Sequence, residues 1–105
     1  ALMNDVAFYE CAKSLGVSLA NADLPLEGNI RRAFVACLSR FPSESEMVQM
    51  KNLFDQFRKH YGSNADQAKQ VLGNGTELKG DVVLSAAWVA FARVLLNLDE
   101  IIVRD

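Results

Sequence analysis

Cysteine, histidine and proline are scarce in this sequence. Its 105 residues include two cysteines, one histidine and two prolines. Two cysteines fall short of the four or more that small secreted domains use as a disulfide framework. One histidine and two distant cysteines do not furnish a zinc site. Six glycines and two prolines exclude a collagen-like or linker composition. Basic charge is not in excess: 11 Lys and Arg stand against 13 Asp and Glu, and each half of the chain is one charge negative. No basic stripe is present to neutralise phosphates, which argues against a nucleic-acid partner. No long uncharged apolar run occurs. The most apolar stretch, Val82 to Leu98, contains Arg93. A central arginine costs about 3 kcal/mol on insertion scales, and the run is shorter than the ~20 residues a bilayer requires. No membrane span is expected.

What is present is helical periodicity. Half of the residues are apolar, too many for a disordered chain. A chain of this length buries roughly two-thirds of its unfolded surface, enough for one core. Phe8, Cys11, Ala12 and Leu15 line one face of a first helix capped by Asn4 or Asp5 and stopped at Gly16. Val17 to Glu27 reads as a loop, with Asn21, Asp23 and Pro25 as breakers. Ile30, Ala33, Phe34, Cys37, Leu38 and Phe41 form the stripe of a second helix, ended by Pro42. Arg31, Arg32 and Arg40 lie off that stripe.

Ser43 and Glu46 make a capping box for a third helix. Its seam is Met47, Met50, Phe54, Phe57 and Tyr61, with Lys59 and His60 in the last turn and Gly62 as the stop. Ser63 with Asp66 begins a short fourth helix whose inner face is Ala65, Ala68 and Leu72. Gly73-Asn74-Gly75 reads as a turn, and Asn74-Gly75-Thr76 matches the N-glycosylation pattern, which carries little weight without a secretory context. The fifth helix runs from about Asp81 to about Glu100. Ser85, Arg93 and Asn97 form a narrow polar stripe on an otherwise apolar cylinder, with Trp88 and Phe91 as its largest core residues. The expected architecture is all-α: one domain over 1–105, a compact bundle of four to five helices with a mostly buried C-terminal helix.

No haem-attachment motif, phosphate-binding glycine loop, nucleophile elbow, zinc-protease motif or EF-hand loop occurs. His60 reads as a helix-end residue that complements the dipole, since no acid or nucleophile sits beside it in sequence. Cys11 and Cys37 are both expected on apolar helix faces, as buried thiols or, if the first two helices pack side by side, as a disulfide. Met47, Met50, Phe54 and Phe57 read as core rather than as a binding groove. Arg31 and Arg32 read as a solvated face, with anion binding as the alternative. Asp99 and Glu100 are neighbours and point about 100° apart on a helix, so they are no catalytic pair by themselves. Arg93, on a largely buried helix, is expected to pair with an acid on a neighbouring helix or at the domain surface, with a contact to a missing part of a larger protein as the alternative.

Three stretches together resemble one family. Ala1-Leu2-Met3-Asn4-Asp5 followed by Phe8 resembles its "Ala-Leu-x-x-Leu-Asn-Asp-Pro-x-Phe" opening. Ile30-Arg31-Arg32-Ala33-Phe34 through Leu38-Ser39-Arg40-Phe41-Pro42-Ser43 and Glu46 resembles its "Ile-Arg-Arg-Ala-Phe…Leu-Gly-Arg-x-Pro-Thr-x-x-Glu" segment. Ala86-Ala87-Trp88 and Ala92 to Glu100 resemble its closing motif. The family is the C-terminal domain of unknown function 1553 of large exported proteins of planctomycete-type bacteria, which often carry cytochrome c-like modules upstream. Val6 stands where the family usually has proline, and Ser39 where it often has glycine.

The resemblance implies a fragment from the C-terminal end of a larger extracytoplasmic protein, periplasmic or at the cell surface. It implies no cofactor on this fragment, and upstream domains of the same polypeptide as partners. The expected function is a structural or interaction module with no catalytic activity of its own. Its candidate interface residues are Asn4, Asp5, Arg31, Arg32, Arg93, Asn97, Asp99 and Glu100. The alternative is that these residues complete an active site, or a docking surface for a haem module, formed with the upstream part of the parent.

Overall fold

A computed structural model describes residues 5–73 and 81–103, with side chains from Val6 to Gly73 and from Asp81 to Leu98. Five helices follow one another among the described residues: α1 (Asp5–Asn21), α2 (Leu26–Leu38), α3 (Glu44–Ser63), α4 (Ala65–Leu72) and α5 (Val82–Val103). The described residues contain no strand. The helix α5 packs against each of the other four. Every residue from Ser85 to Ala92 is buried, as is Leu95. That explains why its sequence is apolar nearly all round: it has neighbours on all sides. Asp81 starts it, with Oδ1 accepting from the backbone N–H groups of Val83 (2.8 Å) and Leu84 (3.3 Å).

The aromatic centre joins α3 to α5. The Phe54 ring lies 4.2 Å from that of Trp88, and Trp88 meets Phe91 edge-on at 5.2 Å. Each large side chain removed from water here contributes about 1.5–3 kcal/mol. Along α3, Met50, Phe54 and Tyr61 are buried, while Met47 and Phe57 pack partly buried against the core.

Two expected helix ends move. The helix α1 does not stop at Gly16 but continues to Asn21, so the loop shrinks to Ala22–Pro25. Gly16 serves a different purpose. A Cβ placed on it would lie 2.5 Å from the Cα and 2.6 Å from the backbone N of Val89. The glycine is where α1 and α5 touch backbone to backbone. The buried face of α1 is therefore centred on Ala12, Gly16 and Leu19. Cys11, about 100° round the helix from Ala12, is exposed rather than part of the core.

The helix α2 ends at Leu38, before Pro42 can act. Ser39 takes a left-handed conformation (φ 58°) and its N–H bonds to the Val35 carbonyl. Glycine adopts this geometry without the steric cost a side chain brings. Because the helical path is broken there, Phe41 leaves the α2 stripe and is 69% exposed.

The capping box of α3 forms in full. The Ser43 hydroxyl accepts from Glu46 N–H, and Ser43 N–H donates to Glu46 Oε1. Arg40 completes it with a bidentate pair on Glu46 at 2.6 and 2.7 Å. That pair holds the Glu46 carboxyl at about 2, with the Ser43 hydrogen bonds adding to the effect. The helix α4 departs from expectation in detail. Asn64 stands at the α3–α4 junction, with its side chain donating to the His60 carbonyl and giving α4 no side-chain cap. Ala68 and Leu72 are buried, but Ala65 is exposed. The expected 73–75 turn and the Asn74-Gly75-Thr76 pattern lie, beyond Gly73, outside the described residues.

Two outcomes follow for stability. Gly16→Ala should destabilise the fold by about 1–3 kcal/mol, since backbone atoms of α5 cannot yield as a side chain would. Gly62→Ala, at a helical position with nothing within 4 Å, should instead stabilise by up to about 1 kcal/mol. Urea denaturation of both variants reads this opposition in sign. Glu46 has a folded-state pKa below its ordinary value of 4.5, so its contribution is complete above that value and is lost as pH falls toward about 2. Urea midpoints measured from pH 5 to pH 2 should fall more steeply for the native chain than for Glu46→Gln.

Candidate functional site

The helices α1 and α5 run antiparallel. Gly16 meets Val89, and one end further along Tyr9 meets Arg93. This register brings part of the predicted interface together. Asp5 sits one turn before Tyr9 on α1, and Asn97 one turn after Arg93 on α5, so both belong to the same end of the pair. Asp99 and Glu100 continue α5 beyond Asn97 at that end, their backbone helical and their side chains outside the described set, as is the side chain of Asp5. Asn4 lies outside the described residues.

Arg93 is the centre of this end. It is half-buried, and its guanidinium carbon stands 4.6 Å from the centroid of the Tyr9 ring. One terminal nitrogen donates to the Val71 carbonyl across a long 3.4 Å. Its Nε is buried and has no hydrogen-bond partner. Among the described residues no carboxylate pairs with it. Within the described set a ring face and a carbonyl meet the charge. An open cleft of about 310 Å³ lies beside it, lined by Tyr61, Gln67, Gln70, Val71 and Arg93. Burial pushes the Tyr61 hydroxyl above its ordinary value, and the Arg93 charge offsets part of that rise. Val6 and Tyr9, 73% and 49% exposed, add apolar surface on the same end of α1.

Arg31 and Arg32 do not join this group. Arg32 donates to the Ser18 hydroxyl at 3.0 Å, and Ser18 is nine residues, about 13 Å of helix, from Tyr9. Arg31 faces Glu27 at 3.7 Å, and Glu27 also holds Lys51 of α3. Lys51 is the main cause of a lowered Glu27 pKa. The pair is a solvated face with acids at hand, as expected for the plainer reading. The seven candidate residues within the described backbone therefore divide: Asp5, Arg93 and Asn97, with the α5 backbone at Asp99 and Glu100, at one end, and Arg31 and Arg32 elsewhere.

His60 is exposed and its Nε2 lies 2.7 Å from Gln67 Oε1. Nothing nucleophilic accompanies it among its described contacts. No group of three or more His, Cys, Asp or Glu among the described residues could hold a metal ion. No helix there is long and apolar enough to cross a membrane. Tyr9 is the member of the Arg93 group that sequence reasoning missed. Its position depends on the α1–α5 register, which no local pattern encodes.

Cys11 and Cys37 are not joined in a disulfide. Cys37 is buried as expected, whereas Cys11 is at the surface beside Glu10, Ser14 and Ser18. A maleimide reagent should label Cys11 within minutes in native buffer and reach Cys37 only under denaturing conditions, read by mass spectrometry of Cys11→Ser and Cys37→Ser single variants. No protein-family model, curated protein or solved structure matches this chain.

Proposed function

We propose that this chain is a helical structural and interaction module of a larger extracytoplasmic bacterial protein, with no catalytic activity of its own. It docks onto the upstream part of the same polypeptide through the end of the α1–α5 pair. The observation that supports this reading is Arg93. A guanidinium offers five N–H donors, and among the described residues this one makes one long bond, to the Val71 carbonyl. Its Nε has no partner and no described carboxylate neutralises it. An arginine so placed suits a carboxylate supplied from outside the domain, in the bidentate geometry that guanidinium favours. The exposed Val6 and Tyr9 beside it supply the apolar part of a contact.

The sequence resemblance to the family of exported planctomycete-type proteins agrees in kind: it points to a terminal module attached to upstream domains. Arg31 and Arg32, bound to Glu27 and Ser18, leave little for an electron-transfer docking role.

The test uses the longer polypeptide with a protease site placed just before Ala1. After cleavage the 105-residue fragment should co-elute with the remainder on size exclusion. Arg93→Ala should weaken that association by about 10- to 100-fold, the loss of one charge-assisted hydrogen-bonded contact, while helical circular dichroism stays unchanged. Elution of the native fragment as a separate folded monomer would overturn the reading.

A further inference from the structure

A second site lies away from the Arg93 end, where the C-terminal part of α1 and the start of α2 meet α3 and α5. A pocket of about 170 Å³ opens there. Its wall includes Leu19, Leu26, Asn29, Phe54, Leu84 and Trp88. All of these but Asn29 present carbon or an indole. Leu24 and Leu26, 47% and 37% exposed, are also part of its lining, so the pocket reaches the surface.

Asn29 is the anomaly. It is only 4% exposed, in the middle of an apolar wall. Its Nδ2 donates to the Leu19 carbonyl at 3.0 Å. That bond fixes which way round the amide sits, because only the nitrogen can donate to a carbonyl. The other atom, Oδ1, is then a buried acceptor with no donor among the described residues. Buried acceptors are almost always satisfied, and each exception requires an explanation such as a bound molecule. The cavity volume is close to the roughly 150 Å³ at which an apolar cavity takes up a single aromatic ring. Apolar walls with one placed polar group are also the usual makeup of a small-molecule site.

We propose that this pocket binds a small aromatic molecule of one ring, or a compact fused pair, that carries one hydrogen-bond donor, of the phenol or indole type. The ring lies among Phe54, Leu84 and Trp88, and its O–H or N–H donates to Asn29 Oδ1. The site is independent of the docking reading above, since it shares no residue with the Arg93 end.

The experiment is an NMR titration of the full chain with phenol and with toluene, which match in shape and differ in the donor. Phenol at millimolar concentration should shift the Trp88 indole and Leu84 methyl resonances, and bind about tenfold more tightly than toluene. Asn29→Leu should bring phenol down to the affinity of toluene. Because that variant also loses the bond to the Leu19 carbonyl, a second one, Ala22→Leu, fills the pocket from its other wall with Asn29 intact and should abolish binding of both ligands. Equal binding of phenol and toluene by the native chain would mean that Oδ1 is satisfied by water alone, and would overturn the proposal. So would the absence of shifts at Trp88 and Leu84, or undiminished phenol binding by folded Ala22→Leu.

Discussion

The contact between Gly16 of α1 and Val89 of α5 sets the rest of this structure. With no side chain at Gly16, two helix backbones approach until a single added carbon would meet main-chain atoms. The approach places α1 and α5 in one antiparallel register, and the other three helices complete the enclosure of α5. Alanines at 86, 87, 90 and 92 continue the same logic, keeping the central helix slim enough to be surrounded. The large side chains Trp88 and Phe91 then fill the space toward α3 and meet Phe54.

The same register creates the candidate docking end. Tyr9, seven residues back from the crossing on α1, and Arg93, four residues onward on α5, lie toward the same end of the antiparallel pair, where ring and guanidinium meet. The interaction of a ring face with a guanidinium offsets part of the desolvation of a charge on a buried helix. Among the described residues it does so without a carboxylate, whereas Arg31, Arg40, Arg58, Lys51 and Lys59 each face an acid there. Asn29 is its counterpart in the core: one half of its amide is used, and the other faces no donor. Both residues are polar groups whose hydrogen bonding the described residues leave incomplete.

Local chemistry was legible where the rule depends on residues close in sequence. The Ser43–Glu46 box depends on atoms three residues apart, and it forms as read. The Met50–Phe54–Tyr61 seam and the all-round burial of α5 follow from spacing alone. Gly16 and Cys11 were misread for one shared reason. A glycine ends a helix or marks a close approach with the same single letter, and placing the stop at Gly16 turned the predicted apolar face of α1 toward Cys11. Phe41 was misplaced because the left-handed turn at Ser39 precedes the proline taken as the terminator.

The sequence by itself determined the helical class, a bundle of four to five helices, the cap of α3 and the central position of the last helix. Each rests on periodicity or on hydrogen bonds between near neighbours, and these survive in any packing. Tertiary structure alone decided that Arg93 meets Tyr9 and Val71. It also decided that Arg32 lies with Ser18, and that the Asn29 amide is half satisfied in an apolar pocket. Those facts depend on the register and crossing of helices distant in sequence, and side-chain periodicity carries no information about either.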